Sequence, residues 1–426
     1  MNFFLIKQKS QIGKLSVNIM LFFNRLKRCG VFGRYLFYIY SVILRWVNMS
    51  VLPVVNATVY KDKTNNVQLK TIVKNRLGVT ANVLMTGSEP SSVLLEKPLP
   101  DLRLKIFNNV CIQGWSDVVV DIKNWLVISE ESYNTEDNVE IIDGLLYRTR
   151  DNICLLRDNL RHKNEHLNAG IMISGKFNNN YYHILYENLI RLLYIDDTII
   201  PANTPIIIDR KTIEIPSCKT IFDILTNNMD RPVIAIESNL LYQVDVLYCL
   251  DHVNKIPPHL SNPNIPVETL YSPNALLRLR EVFIPYKSNN KYPSKFFISR
   301  IGTKRRHYNE EEVYDVLKKY GFSCVAPENY SFEEQISLFN NAEFIVAASG
   351  AALTNLLFVN KNCTVICFGQ STHEHICDMP YYNTIANLNG ALFYYFPRKS
   401  DVQEFLHVDY EIDCQELDAT IKKILE

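Results

Sequence analysis

The sequence predicts an α/β protein in which two doubly wound domains face a common cleft. The chain has 426 residues, which is long enough to enclose two hydrophobic cores. Short apolar runs alternate with amphipathic helix patterns over residues 169–250 and again over residues 295–368. Such alternation is typical of parallel sheets with helices on both faces. We divide the chain into an N-terminal extension, two domains and a C-terminal helix, at residues 1–61, 62–285, 286–410 and 411–426.

The second domain shows the alternation most clearly. Four strands are predicted, at residues 295–300, 322–325, 343–347 and 363–368. Between the first two, Asn309 and Glu312 have the spacing of a capping box, and Gly321 ends the helix that they begin. Ser331 and Glu334 have the same spacing before the third strand. A further helix is expected directly after the third strand.

The first domain follows the same rhythm less regularly. Strands are predicted at residues 169–174, 205–209, 232–237 and 244–250. One helix is predicted over residues 181–195 and another over residues 218–227. Residues 62–150 are expected to add mixed strands, and the proline-rich residues 254–274 to form a long loop or connection.

The N-terminal extension is basic, whereas the rest of the chain is mildly acidic. Residues 1–61 contain nine Lys or Arg and no Asp or Glu, and the remaining residues have a net charge of −9. The uncharged apolar run at residues 35–44 is too short to span a bilayer, which takes about 20 residues. Interleaved basic and aromatic residues favour contact with an anionic membrane surface, and a helix pair packed on the body is the alternative. Elsewhere the basic residues do not cluster, so no nucleic-acid partner is expected.

The cysteines of the chain give no sign of a metal centre. All ten are scattered, without C-x-x-C pairs or other metal-ligand spacing. We therefore expect no metal site, and a reducing compartment rather than a secreted protein.

Polar residues follow the predicted strands of the second domain. Arg300 comes after the first strand, Glu328 after the second, and Ser349 and Gly350 after the third. Because ligands of open α/β sheets bind outside the carboxyl ends of the strands, we expect these residues to converge. Arg suits a pyrophosphate, a helix N-terminus suits a phosphate, and a carboxylate suits ribose hydroxyl groups. The pattern predicts a site for a nucleoside diphosphate.

Two stretches of the sequence resemble glycosyltransferase family 61. Residues 296–358, from "FFISRIGTKRRHYNEEEV" to "GAALTNLLF", have the family's Arg after a strand, its R-x-x-N-E pattern and its G-A-x-L-T-N pattern. Upstream, "NYYHILYE" (180–187) is similar to the family's N-Y-x-H-x-x-x-[ED] helix. The resemblance covers about residues 170–396. The chain departs from the family at Ser349, where many members have His.

The resemblance implies a GT-B-like fold and an inverting, metal-independent transfer of a sugar. The donor would be a nucleotide sugar, usually UDP-linked, and the acceptor a surface polysaccharide or glycolipid; no cofactor is implied besides this co-substrate. Together, the strand ends, the basic loop that follows the first of them and the resemblance give the donor-side candidates, which are Arg300, Arg305, Arg306, Glu328, Ser349, Gly350, Ala351 and Ala352. The expected location is the cytoplasm, at the inner face of the membrane, or the Golgi or ER lumen in a eukaryote.

His183 and Glu187 are the candidates for the catalytic base. They are four residues apart on the predicted helix over residues 181–195, so they share one face. Inverting transfer needs a base for the acceptor hydroxyl group, and a carboxylate is already deprotonated near pH 7. We therefore prefer Glu187, with His183 as the second choice. A buried pair that only holds the helix on the sheet is the structural alternative.

Other functions fit the same architecture. A nucleotide-sugar epimerase would need no separate acceptor, and a non-catalytic scaffold in polysaccharide synthesis is compatible with the departure at Ser349. A dehydrogenase is disfavoured, because the chain has no G-x-G-x-x-G fingerprint.

Overall fold

The protein is described here by a computed structural model. It describes residues 49–82, 84–87, 93–130, 146–150, 153–157, 165–238, 240–256, 269–301, 306–369, 371–372, 375–376, 381–397 and 409–426. The strands are β1 (Met49–Val55), β2 (Val67–Val73), β3 (Arg76–Ala81), β4 (Leu94–Leu99), β5 (Leu102–Gln113), β6 (Val119–Asp121), β7 (Leu126–Ile128), β8 (Leu146–Arg150), β9 (Ile153–Arg157), β10 (Glu165–Met172), β11 (Ile206–Asp209), β12 (Val233–Ile236), β13 (Leu241–Leu250), β14 (Lys295–Ile298), β15 (Ser323–Val325), β16 (Phe344–Ala348), β17 (Thr364–Gly369), β18 (Ser371–Thr372), β19 (His375–Ile376) and β20 (Leu392–Pro397).

The α-helices are α1 (Ala57–Thr64), α2 (Tyr181–His183), α3 (Arg210–Glu214), α4 (Pro216–Thr226), α5 (Pro273–Phe283), α6 (Glu310–Lys318), α7 (Phe332–Asn340), α8 (Tyr382–Leu388) and α9 (Cys414–Leu425). α2 continues without a break into a π turn and then into a 3₁₀ turn, over Ile184–Asn188 and Leu189–Tyr194. Further 3₁₀ segments cover Ile284–Tyr286, Pro327–Asn329 and Ala351–Phe358.

The second sheet confirms the predicted parallel arrangement. Its strand order is β15-β14-β16-β17-β20, and all neighbours are parallel. The predicted capping box at Ser331 and Glu334 opens α7. The one predicted at Asn309 is wrong, because the Asn309 side chain bonds the backbone of Ile412, just before α9.

The first sheet is mixed rather than wholly parallel. Its order is β12-β11-β10-β13-β5-β6-β7-β1-β9-β8, and β2 also pairs with β5. β10 to β13 run parallel to one another, whereas β13 pairs with β5 in the antiparallel sense. Short connections such as those between β5, β6 and β7 join antiparallel neighbours, while a parallel pair needs a long crossover. The prediction of a doubly wound first domain therefore holds only for β10–β13.

Each sheet has a reversal point, where the chain stops adding strands on one side of a strand and adds the next strand on its other side. In the second sheet, β15 lies on one side of β14 and the next strand, β16, on the other. In the first sheet, β11 and β12 lie on one side of β10, and β13 lies on the other. Ligands of α/β proteins bind in the crevice at such reversal points, so β14/β16 and β10/β13 locate the expected site.

The two sheets pack through one continuous hydrophobic core. Ile171 and Ile206 of the first sheet belong to the same cluster of buried side chains as Phe296 and Ile345 of the second. The β3–β4 hairpin also reaches the second sheet, where Met85 after β3 pairs with Tyr395 of β20. The predicted boundary at residues 285 and 286 is therefore not a gap in the packing.

The predicted N-terminal extension is divided at residue 49. Residues 49–61 form β1 and the start of α1, and β1 pairs with β7 and β9 of the first sheet. The buried Tyr60 donates a hydrogen bond to Asp121. The predicted boundary lies at Lys61, because the first acidic residue of the chain is Asp62. The apolar run from Met49 nevertheless has strand character. Residues 1–48 lie outside the described residues. Among the described helices, none is both long and apolar enough to cross a membrane.

Candidate active site

The helical segment that follows β10 carries the predicted base candidates. Asn180 accepts a hydrogen bond from Tyr182 N and caps α2. After His183 the helix widens into a π turn over Ile184–Asn188. The prediction of a helix here is confirmed, and the wide turn was not expected. Single π turns inside helices occur frequently at functional sites.

His183 and Glu187 form a hydrogen-bonded pair across this wide turn. Nδ1 of His183 contacts Oε1 of Glu187, and the side chains are 20% and 3% exposed. Burial alone would raise the pKa of Glu187. The hydrogen bond from His183 and the charges of Lys176 and His252 outweigh that effect, so the pKa lies below its ordinary value. Glu187 is therefore ionised at neutral pH.

The ionised carboxylate determines which imidazole nitrogen carries the proton. A carboxylate only accepts hydrogen bonds, so Nδ1 of His183 is the donor, and Nε2 is the ring nitrogen that is left to exchange a proton with a ligand. The His183 ring packs on Phe177, with centroids 4.6 Å apart. The hydrogen bond and the ring contact together fix the orientation of the imidazole.

Buried polar residues at the strand ends hold the segment on the first sheet. Arg191 lies one turn beyond Glu187 and donates to the carbonyl of Ser174, at 2.7 Å. Ser174 and Asn178, which follow β10, both donate to Asp209 at the end of β11. Burial raises the pKa of Asp209 to about 6, although the hydrogen bonds from Ser174 and from the Trp115 N–H oppose it. The segment is thus anchored at the carboxyl ends of β10 and β11.

Arg300 and Ser349 meet at the reversal point of the second sheet. They follow the neighbouring strands β14 and β16, and Arg300 Nη1 donates to the Ser349 carbonyl at 3.0 Å. A Cβ atom on Gly350 would lie 2.8 Å from Nη1, so glycine is what permits this close approach. Within the described residues, the buried Nε of Arg300 has no hydrogen-bond partner. The guanidinium therefore keeps a donor that an anionic ligand can satisfy.

Glu310 fixes the backbone at Arg300. Its carboxylate accepts from Arg300 N at 2.9 and 3.0 Å, and from the hydroxyl of Ser299 at 2.6 Å. Glu310 opens α6, which packs on this strand end. Arg300 is thus positioned by a buried carboxylate, which the sequence analysis did not identify.

Two hydrogen bonds connect the segment that carries His183 and Glu187 to the 3₁₀ segment that begins beside Arg300. Tyr181 donates to Oδ1 of Asn355 at 2.8 Å, and Tyr186 donates to the carbonyl of Thr354, also at 2.8 Å. Thr354 and Asn355 belong to the 3₁₀ segment that begins at Ala351, next to Gly350. The two reversal points are therefore joined by direct contacts.

The segment that holds these residues matches a known family. Residues 181–366 match the sequence model of the family Glycosyltransferase 61. The chain carries a glycosyltransferase family 61 domain. This makes the protein a glycosyltransferase, which implies a sugar donor and an acceptor. No curated protein matches the chain.

The family 61 domain brings several of the predicted residues together and separates others. His183 contacts Glu187, and Arg300 contacts Ser349 and Gly350. Their roles stay predictions, as do those of Ala351 and Ala352, the half-buried residues that open the 3₁₀ segment.

The remaining donor-side predictions have different surroundings. Arg306 and Arg300 both line a cavity of about 370 Å³ beside α6, together with Tyr308. Glu328 follows β15, on the side of β14 away from β16, and its side chain is exposed. Arg305 lies outside the described residues.

Three polar residues of this glycosyltransferase were missed by the sequence analysis. Lys176, Asp209 and His252 each lie at or just after the carboxyl end of a strand of the first sheet. Like Arg300, they could be identified in the sequence from their position after a predicted strand. In the described part of the chain, no group of three or more His, Cys, Asp or Glu side chains is placed to hold a metal ion.

Proposed function

We propose that the protein transfers a sugar, with inversion, from a nucleotide sugar to a hydroxyl group of a carbohydrate or glycolipid acceptor. The observation that carries this proposal is the link between the two halves of the site. The His183–Glu187 pair lies on the segment that Tyr181 joins to the turn beside Arg300. The proposed base and the proposed anion-binding group are therefore held at fixed positions relative to each other.

The diphosphate of the donor would bind at the β14/β16 reversal point. The guanidinium of Arg300 and the first N–H groups of the segment from Ala351 are donors at this point. Arg306 lines the adjoining cavity and adds positive charge. Fixed donors and cations of this kind stabilise the charge that develops on a departing diphosphate. They support a transfer in which no metal ion is required.

His183, rather than Glu187, would accept the proton of the acceptor hydroxyl group. Glu187 is almost fully buried, whereas His183 is 20% exposed. The carboxylate would hold the Nδ1–H tautomer and stabilise the imidazolium that forms, as the carboxylate of a Ser-His-Asp triad does. The sequence favoured Glu187 as the base. We now prefer His183, because its side chain is the more exposed of the two.

The donor nucleotide, the location and the membrane contact belong to the same proposal. We expect UDP as the nucleotide and no cofactor besides the nucleotide sugar. Transfer at the cytoplasmic face of a membrane, in capsule or other polysaccharide synthesis, suits the nine basic residues of segment 1–61. A Golgi or ER lumen location is the alternative in a eukaryote.

Donor binding can be tested by thermal unfolding with UDP-, GDP- and CMP-sugars. At least one of them, with UDP-sugars expected, should raise the Tm of the wild type, and Arg300→Ala should abolish the shift. Arg278→Ala, on an exposed position of α5, is the matched control and should keep it. No shift with any nucleotide sugar, or an unchanged shift in Arg300→Ala, would contradict the proposed donor site.

A further inference from the structure

A cavity larger than the one beside α6 lies in the first half of the protein, outside the proposed donor site. Its volume is about 620 Å³, within the range of about 300–1,000 Å³ typical of small-molecule sites. Residues of β5 to β7, of the end of β13 and of the β3–β4 hairpin line it, together with Arg191. Much of the wall comes from residues before 181, which the family 61 match does not include.

Charged side chains of both signs are paired along the wall. Lys105 Nζ lies 2.8 Å from Asp251 Oδ1, and Arg103 Nε lies 2.8 Å from Asp251 Oδ2. Glu130 is within 3.7 Å of Lys105 and within 3.5 Å of Arg103. The lining as a whole contains five Lys or Arg and four Asp or Glu, so it has little excess charge to offer an anion.

The floor of the cavity is apolar. Phe107, Val119 and Met172 line it, and all three belong to a hydrophobic cluster of the first sheet. A sugar ring has C–H faces that pack on such a floor. Its hydroxyl groups donate to carboxylates and accept from cations, so paired charges of both signs satisfy them together.

Two residues of the cavity lining relate it to Glu187. Arg191 lines it one helical turn beyond Glu187. His252, another lining residue, contributes to the charges that lower the pKa of Glu187, and it is paired with Asp117 at 3.0 Å. A ligand in this cavity would therefore contact Arg191, one helical turn after Glu187, and His252, whose charge acts on the Glu187 carboxylate.

We infer that this cavity binds an uncharged sugar unit of the acceptor. The inference rests on the proposed function, since it identifies the ligand that presents a hydroxyl group to His183. The ion-paired wall would hold the hydroxyl groups, and the apolar floor would hold the ring. An acidic sugar would be a poorer ligand, because Asp117, Glu130 and Asp251 line the cavity and repel it. Among the cations that line it outside the ion pairs, Arg76 and Arg191 already donate to backbone carbonyl groups.

The test is saturation-transfer NMR on the full chain with five neutral sugars: glucose, galactose, mannose, xylose and N-acetylglucosamine. Glucuronate is the charged comparison. Val119→Phe places a ring in the cavity, whereas Val233→Phe makes the same change at an exposed position of β12. At least one neutral sugar should give a signal with the wild type and with Val233→Phe. That signal should fall at least fivefold with Val119→Phe.

Stabilisation by a nucleotide sugar, measured on the same samples, separates the two proposals. If it persists while no neutral sugar binds the wild type, or while Val119→Phe binds as well as Val233→Phe, the cavity assignment is wrong and the donor site stands. A signal from glucuronate alone would also overturn it. If Val119→Phe does not fold, Asp117→Asn keeps the size of the side chain, and sugar binding should weaken about tenfold. Unchanged binding in that variant would count against the cavity.

Discussion

The imidazole of His183 is hydrogen bonded to the buried carboxylate of Glu187 across a π turn. This contact gives the two residues unequal roles, because one is almost fully buried and the other is partly exposed. In the proposed mechanism, the carboxylate orients the imidazole, and the imidazole accepts the proton. An isolated i,i+4 pair in the sequence suggests that the residues meet, but it cannot show which of them faces the substrate.

The Glu187 carboxylate should make stability depend on pH in the acid range. Its pKa is lowered in the folded protein, so its ionised form stabilises the fold above the unfolded-state pKa of about 4.3. That contribution is lost as the pH falls through the lowered folded-state value. The Tm difference between wild type and Glu187→Gln should therefore be larger at pH 6 than at pH 3.5.

Circular dichroism over that pH range measures the difference. Glu165→Gln, at an exposed position, is the control and should shift the Tm little at any pH. A Glu187→Gln difference that grows towards low pH would contradict the assignment of an ionised, paired carboxylate.

Gly350→Ala should weaken donor binding through Arg300. The new Cβ would meet Arg300 Nη1 at 2.8 Å, so the guanidinium must move away from the turn. We expect the Kd of the nucleotide sugar to rise about tenfold, because a charge-assisted hydrogen bond is lost. In the double variant Gly350→Ala/Arg300→Ala, the loss should be no greater than in Arg300→Ala alone. If the affinity losses of the two single variants add in the double variant, Gly350→Ala does not act through Arg300. Calorimetric titration with the donor measures these affinities.

Tyr181→Phe should loosen the connection between the two halves of the site. It leaves the buried Oδ1 of Asn355 without the hydroxyl donor, which costs about 1–3 kcal/mol of unfolding free energy. Nucleotide-sugar affinity should change little, and the turnover rate should fall. Tyr320→Phe removes a hydroxyl that bonds the Asp418 carbonyl on another face, so it serves as the control. Urea unfolding together with turnover assays tests this, and an unchanged turnover rate would show that the contact is only structural.

The second sheet could be predicted from the sequence because its order is encoded locally. Each strand is followed by a helix or a turn, and the residue after each strand falls at the same edge. The contact of Arg300 with the Ser349–Gly350 turn follows from that arrangement alone. The position of Glu310 does not, because it depends on how α6 folds back on the end of β14.

The first half was less predictable because its decisive contacts are long-range. The β3–β4 hairpin crosses to β20, and β13 pairs with β5 more than a hundred residues earlier. Neither contact produces a periodic pattern of hydrophobic residues in the sequence. The 620 Å³ cavity is assembled from such segments, so no single stretch of sequence indicated it.

Release of nucleoside diphosphate by His183→Gln tests the central claim most directly. The rate should be measured with the donor that stabilises the wild type, with neutral sugars or water as the acceptor, and donor affinity determined on the same samples. We predict a fall of at least about 100-fold, as expected for the loss of a general base, with donor affinity unchanged. A His183→Gln enzyme that releases nucleoside diphosphate at the wild-type rate would contradict the account.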